Sequence, residues 1–189
     1  MITTADTVQY RAPTHADLPD VHLIDGAAFP DDRYSFTALR QLIVDVGRSR
    51  SVVAVEPNGG DEEVVGYALT LMGEPGTAWL LSLAVSPDRR GRGYGHGLLL
   101  HSIAACRRMG DADEIRLTVD PKNATAYRLF RAFGFVRREG EDQYFGKGHP
   151  RDVLARKMHR LDDMHLVDDG DDCSGKDSAE LALKSRMMR

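Results

Sequence analysis

Cysteine is scarce in this chain, with two in 189 residues. Cys106 and Cys173 lie far apart and in no Cys-x-x-Cys spacing, which excludes a disulfide framework and a clustered zinc site and leaves reduced, unpaired thiols as the expectation. Long apolar runs are missing as well. The densest, Ala78 to Val85, falls far short of the roughly 20 residues that cross a bilayer. Met1 to Arg11 has no apolar segment of the kind a secretory leader carries, so the expectation is a cytoplasmic chain with no membrane partner. Runs of Lys or Arg are absent too, and residues 1–161 balance 21 acidic against 21 basic side chains. Such a body lacks the electrostatic footprint that nucleic acid requires. The histidines fall at no metal-ligand spacing, so no metal is expected.

What remains is an ordinary globular composition, 42% apolar and 29% charged, in a length that suits one domain with an appendage. The net charge of -4 sits in the tail, where residues 162–189 hold eight acids and four bases. The expected division is therefore a folded domain over 1–161 and an acidic tail over 162–189. Helix formers in 178–188, with Asp177 and Glu180 spaced like a capping pair, predict a short helix there. It would dock on the body or, in a homodimer, on a second subunit.

Along the body, Val8 to Arg11 reads as a strand, and Asp17 stands at the cap of a helix carrying Leu18, Val21 and Ile24. Ser35 caps a second helix whose Phe36, Leu39, Leu42, Ile43 and Val46 form one stripe, ended by Gly47. Three strand-like runs, Ser51 to Val55, Val64 to Met72 and Ala78 to Ser86, are separated by turn-rich pieces and read as an antiparallel meander. A helix over Gly95 to Met109 and a strand over Glu114 to Val119 then make a strand-helix-strand crossover, which implies a parallel pair within a sheet covered on both faces. A helix opened by Asn123 and closed by Gly134, and strands near Phe135 to Arg138 and Val153 to His159, complete an α/β domain built on a mixed sheet.

The most informative segment is Leu80 to Leu100, LLSLAVSPDRRGRGYGHGLLL. An apolar strand ends, and Gly91, Gly93, Gly95 and Gly97 alternate with Arg92, Tyr94 and His96. Glycines let successive backbone N–H groups converge on an anion, and the helix start that follows adds partial positive charge, which suits a phosphate or pyrophosphate. Two better-known phosphate motifs fail. His96 stands where the dinucleotide fingerprint needs its third glycine, and no Gly-x-x-x-x-Gly-Lys-Ser/Thr occurs.

Arg90-x-x-Gly93-x-Gly95 after the strand Leu81 to Val85 resembles the acyl-CoA signature of the GNAT superfamily of N-acetyltransferases. Asn123-x-x-Ala126-x-x-Leu129-Phe130-x-x-x-Gly134-Phe135 resembles its second cofactor-side signature, in the right order. The resemblance covers roughly residues 10–159, with Ala27-Ala28-Phe29-Pro30 included, and is nearest in flavour to the ribosomal-protein alanine N-acetyltransferase branch. It implies a six- or seven-stranded mixed sheet with helices on both faces, splayed near Leu83 to Val85. It also implies acetyl-CoA as acyl donor. Leu83, Ala84 and Val85 would pair with the pantetheine arm as an added strand does. Arg90, Gly91, Arg92, Gly93, Tyr94 and Gly95 would hold the pyrophosphate, and Asn123 and Phe130 would lie at the thioester end.

The implied reaction is direct transfer to a primary amine in a ternary complex, with a small molecule favoured over a peptide N-terminus. It needs a neutral amine, a polarised carbonyl and a proton for the departing thiolate. The position that usually holds the family's tyrosine acid is Phe130, and the usual glutamate corresponds to Thr118. Tyr127, one helical turn before Phe130, is the first replacement candidate, Tyr144 the second and Asp120 the third. Asp31, Asp32, Glu141 and Asp142, in the two irregular segments flanking the implied acceptor slot, would together favour a cationic amine, while each taken singly reads first as a solvated carboxylate. The paired absences also leave open a catalytically silent acyl-CoA-binding module.

Overall fold

A computed structural model describes residues 8–45, 47, 49–108, 112–139, 150–158 and 182–184. Seven strands follow one another in the sheet: β1 (Gln9–Arg11), β2 (Val52–Asn58), β3 (Asp61–Met72), β4 (Gly76–Val85), β5 (Ala112–Val119), β7 (Asp152–Lys157) and, at the far edge, β6 (Val136–Arg137). An eighth, β8 (Ala182–Lys184), pairs with β4 off this path. The helices are α1 (Leu18–Ala28), α2 (Phe36–Arg40), α3 (Tyr94–Arg108) and α4 (Ala124–Ala132). The expected meander is present, with β2, β3 and β4 antiparallel in turn, and β4 and β5 form the expected parallel pair around α3.

Local chemistry explains most of the boundaries. Ser35 accepts a hydrogen bond from the Ala38 amide and so starts α2, which gives way to a π-helical turn over Gln41–Asp45 rather than running on as one α-helix. Of the stripe expected there, Leu39 and Ile43 are buried whereas Phe36 is exposed; Val46 lies outside the described residues. Asp17 precedes α1, but its carboxylate serves the Thr14 amide and hydroxyl and the Arg11 guanidinium instead of the helix amides. Pro57 and Asn58, in the turn-rich piece that separates the first two strand-like runs in the sequence, belong to β2, and the reversal is confined to Gly59 and Gly60. Within the tail helix expected over 178–188, Ala182–Lys184 is a strand; the rest of that segment lies outside the described residues.

Strand alternation sorts the core into two faces. Val52 and Ala54 of β2 join Leu83, Val85, Ile115 and Leu117 beneath α3 and α4, with Leu98, Leu99, Ile103, Cys106, Ala126 and Phe130 as the helical contribution. Val53 and Val55 point the other way and join Tyr67, Leu69, Leu81, Ala84 and Val153 under α1 and α2.

The sheet opens at β4. Leu69 of β3 faces Ser82 while the next residue, Thr70, faces Leu80, so Leu81 is an extra residue in β4. Such a bulge bends a strand and increases its twist. The parallel pairing with β5 ends at Leu80 opposite Leu117, directly before the bulge, and both strands then continue apart, β4 to Val85 and β5 to Val119.

Candidate active site

At the open end of β4 the chain turns through Pro87–Arg89 into Arg90, whose Nε donates to the Val85 carbonyl at 3.3 Å. Gly91 and Gly93 follow with φ of 78° and 81°, a region that side-chain-bearing residues avoid. The Gly97 amide closes the first turn of α3 on the Gly93 carbonyl at 3.1 Å, so the amides just before it lack helical acceptors by geometry and face outward with the positive end of the helix. A Cβ placed on Gly93 meets nothing within 4 Å, which shows open space in front of the turn. Close approach explains another glycine: a Cβ at Gly97 would overlap the Tyr10 hydroxyl, whose ring stacks on His101.

Sequence reasoning missed what holds this turn. Glu56, near the end of β2, pairs with Arg89 at 3.0 Å and Arg92 at 3.6 Å and accepts the Tyr94 hydroxyl proton. Two residues expected at the pyrophosphate are thus tethered from the neighbouring strand. Only contact across the sheet reveals Glu56; along the chain it is one acidic residue at a strand end.

On the same side, His96 of α3 meets Phe133 across the gap between α3 and α4, ring centres 4.5 Å apart, and burial pushes its imidazole below the ordinary value. Asn123 caps α4 by accepting from the Ala126 amide at 3.0 Å. Phe130 is fully buried and packs edge-on against Phe135. Thr118 on β5 is 1% exposed and its hydroxyl has no hydrogen-bond partner among the described residues.

The Tyr127 hydroxyl donates to Asp152, the first residue of β7, whose other oxygen receives Arg137 Nε at 3.0 Å. Burial first, and then Asp152, push this phenol far above its usual range. Asp120 accepts from the Lys122 amide and pairs with Arg151, which turns it toward the loop before α4. Asp31 is exposed and Asp32 half-buried, while Tyr144, Glu141 and Asp142 lie outside the described residues. No group of three or more metal-ligating side chains occurs among the described residues, and none of the described helices is long and apolar enough to cross a membrane.

The end of the β4–β5 pairing, the glycine turn and the start of α3 thus follow one another along a short stretch of chain. The sequence profile of the acetyltransferase (GNAT) family matches residues 18–135, which span α1 through α4 and the start of the chain toward β6. The chain belongs to the GNAT acetyltransferase family. Among curated proteins it is similar to the mycothiol acetyltransferases of Thermobispora bispora, 40% identical over 55 residues (29% of this chain, 18% of that protein), and of Kineococcus radiotolerans, 38% over 71 residues (38% and 23%). The match thus spans under a quarter of either relative's length. Among solved structures it shares the fold of the Escherichia coli ribosomal-protein-S18-alanine N-acetyltransferase, with TM-score 0.64 and 20% identity over 82% of this chain and 98% of that one. It also shares that of Arabidopsis thaliana NAA60 in complex with acetyl-CoA, with TM-score 0.69 and 20% identity over 80% and 99%.

For a GNAT acetyltransferase, the side chains sort by face. Arg90 to Gly95, Asn123 and Phe130 belong to the side of α3 and α4, whereas Thr118, flanked on β5 by Leu117 and Val119 of that core, turns toward the face of α1 and α2. The backbone of Leu83 and Ala84 pairs with β8, which demonstrates that this edge of β4 accepts an added strand.

Proposed function

We propose that the chain transfers an acetyl group from acetyl-CoA to the primary amine of a small molecule, directly, within a ternary complex. The observation that carries this reading is the junction of the splay with the glycine turn. Backbone groups of Leu83 to Val85 would hold the arm of the donor and the amides of Arg90 to Gly95 its diphosphate, with Arg90 and Arg92 adding charge. When bound, the donor supplies an activated acyl carbon. The chain's own contribution is to orient that carbon and to set a backbone N–H near Val85 against its carbonyl oxygen.

The acceptor reading comes from what the site lacks. Thr118 and Phe130, standing where the family's usual glutamate and tyrosine do, cannot take or give a proton at neutral pH. A lysine-like amine, with a pKa of about 10.4, needs help to become neutral, whereas an α-amine near 8 is already partly neutral. We therefore favour an α-amine. The fold shared with a ribosomal-protein alanine N-acetyltransferase and with the Neisseria gonorrhoeae N-acetylglutamate synthase complexed with N-acetyl-glutamate supports that class. A peptide N-terminus shares this chemistry, and the peptide bisubstrate complex of Arabidopsis Naa50 supports it as the competing acceptor. A cytoplasmic setting fits two cysteines so far apart in sequence.

The missing groups also favour a second reading, a catalytically silent acyl-CoA-binding module. Calorimetry with acetyl-CoA, joined to thiol release with L-alaninamide, an alanine-starting pentapeptide amide, spermidine and Nα-acetyl-lysine amide, separates the two. Binding with release for the α-amines ahead of the others is the expected result. Binding without release from any acceptor assigns the silent module, and no binding at millimolar acetyl-CoA removes both.

A further inference from the structure

Asp25 of α1 has no exposed surface, yet it carries a carboxylate into the face of the sheet beneath α1 and α2. Its Oδ1 receives the Tyr67 hydroxyl of β3 at 2.5 Å, and its Oδ2 receives the Tyr34 backbone amide, in the loop between α1 and α2, at 2.6 Å. Tyr67 is 1% exposed and stands 2.8 Å from the Ser82 hydroxyl, itself fully buried on β4. A phenol has one proton. With that proton given to Asp25, Ser82 is the donor in the second bond, and the chain runs Ser82 to Tyr67 to Asp25. Burial and then the Asp25 charge hold the Tyr67 phenol well above its usual range, so it stays protonated.

A buried charged chain of this kind is a poor way to add stability, since apolar side chains of the same volume serve a core as well or better. Its end point offers the reason for it. Ser82 follows the extra residue Leu81 and precedes Leu83, so it stands where β4 has just parted from β5, and it turns to the face opposite α3 and α4. On β5, Thr118 presents to the same face a buried hydroxyl with no hydrogen-bond partner among the described residues. Two buried hydroxyls therefore stand on β4 and β5 at the level where the strands part, on the side away from the glycine turn, with β8 paired to the backbone of Ser82. The same carboxylate that orders Ser82 through Tyr67 also fixes the loop at Tyr34, which ties the wall of the acceptor side to the strand that carries the donor.

Resting on the acetyltransferase reading, we propose that Ser82 is a further catalytic residue that takes the proton of the attacking amine, with Tyr67 and Asp25 as the positioning residues that order it and pass that proton on. As the amine nitrogen bonds to the acyl carbon and the carbon–sulfur bond breaks, the nitrogen loses a proton to the Ser82 oxygen. Ser82 releases its own proton to Tyr67, and Tyr67 releases its proton to Asp25, which becomes a neutral acid. The departing thiolate is protonated by water, and Asp25 returns its proton to solvent by the reverse path before the next turnover. No electrons are exchanged with any further reactant.

The test uses the full chain and its Ser82→Ala and Tyr67→Phe variants. It reads acetyl-CoA Kd by calorimetry, the thermal midpoint, and thiol release with L-alaninamide and with water alone as acceptors. Ser82→Ala is expected to lower kcat roughly 100-fold, in the range of a lost general base. Tyr67→Phe is expected to lower it about tenfold through disorder of the Ser82 hydroxyl, both with acetyl-CoA Kd within about twofold of the parent. Ser82→Ala removes one oxygen, so it remains decisive even where Tyr67→Phe fails to fold. A Ser82→Ala variant with unchanged kcat, or one that loses kcat only in step with acetyl-CoA binding, overturns the proposal and leaves the acetyltransferase reading standing. A parent chain that binds no acetyl-CoA overturns that reading, and this one with it.

Discussion

Tyr127 shows how a side chain can occupy a suitable place and yet be engaged elsewhere. It lies one helical turn before Phe130, as the spacing predicts, but its proton is shared with Asp152, which Arg137 holds from the other side. To protonate a departing sulfur it must leave that carboxylate, at the cost of a partly buried, charge-assisted hydrogen bond worth about 1.5–3 kcal/mol. Tyr127→Phe separates the roles. The expected result is an unchanged kcat, with Tyr127 a strut for Asp152 and water protonating the sulfur; a kcat about tenfold lower at an unchanged acetyl-CoA Kd would make Tyr127 the acid instead. Cys106 is a simpler case. Full burial pushes its thiol up to about 12, so it is a packing residue of α3 rather than a nucleophile.

Among the elements, the turn between β4 and α3 combines two physical requirements in a few residues: amides that converge, and φ values that only glycine adopts without strain. Because a Cβ on Gly93 meets open space, Gly93→Ala carries only the conformational cost, about 1–2 kcal/mol. The turn relieves it by moving its amides. The expected result is an acetyl-CoA Kd raised roughly tenfold in calorimetry with the fold retained; an unchanged Kd would detach the turn from the ligand. This element was legible in the sequence because glycine, arginine and the strand before them are local signals. So were the meander, the crossover and the caps Ser35 and Asn123, which depend on neighbours a few residues away. The bulge at Leu81 was not, since one more apolar residue in an apolar run changes no pattern. Glu56 and the Asp25–Tyr67–Ser82 chain were equally hidden. Each is assembled from elements distant in sequence, and a lone Asp inside a helix pattern reads as a solvated residue until the sheet is laid beneath it.

At the scale of the whole molecule, one sheet divides the labour. Helices α3 and α4 cover the face where the glycine turn, Asn123 and His96 gather, and α1 and α2 cover the face where Ser82 and Thr118 turn inward. The pairing of β4 with β5 ends at the bulge, and beyond it β8 lies against β4. The most direct measurement is the crystal structure of the full chain with CoA. The expected density places the diphosphate on the amides of Arg90 to Gly95 and the pantetheine arm along Leu83 to Val85, with Ala182–Lys184 displaced from β4. A nucleotide lodged anywhere else, with β8 still paired to Ser82–Ala84, would contradict it.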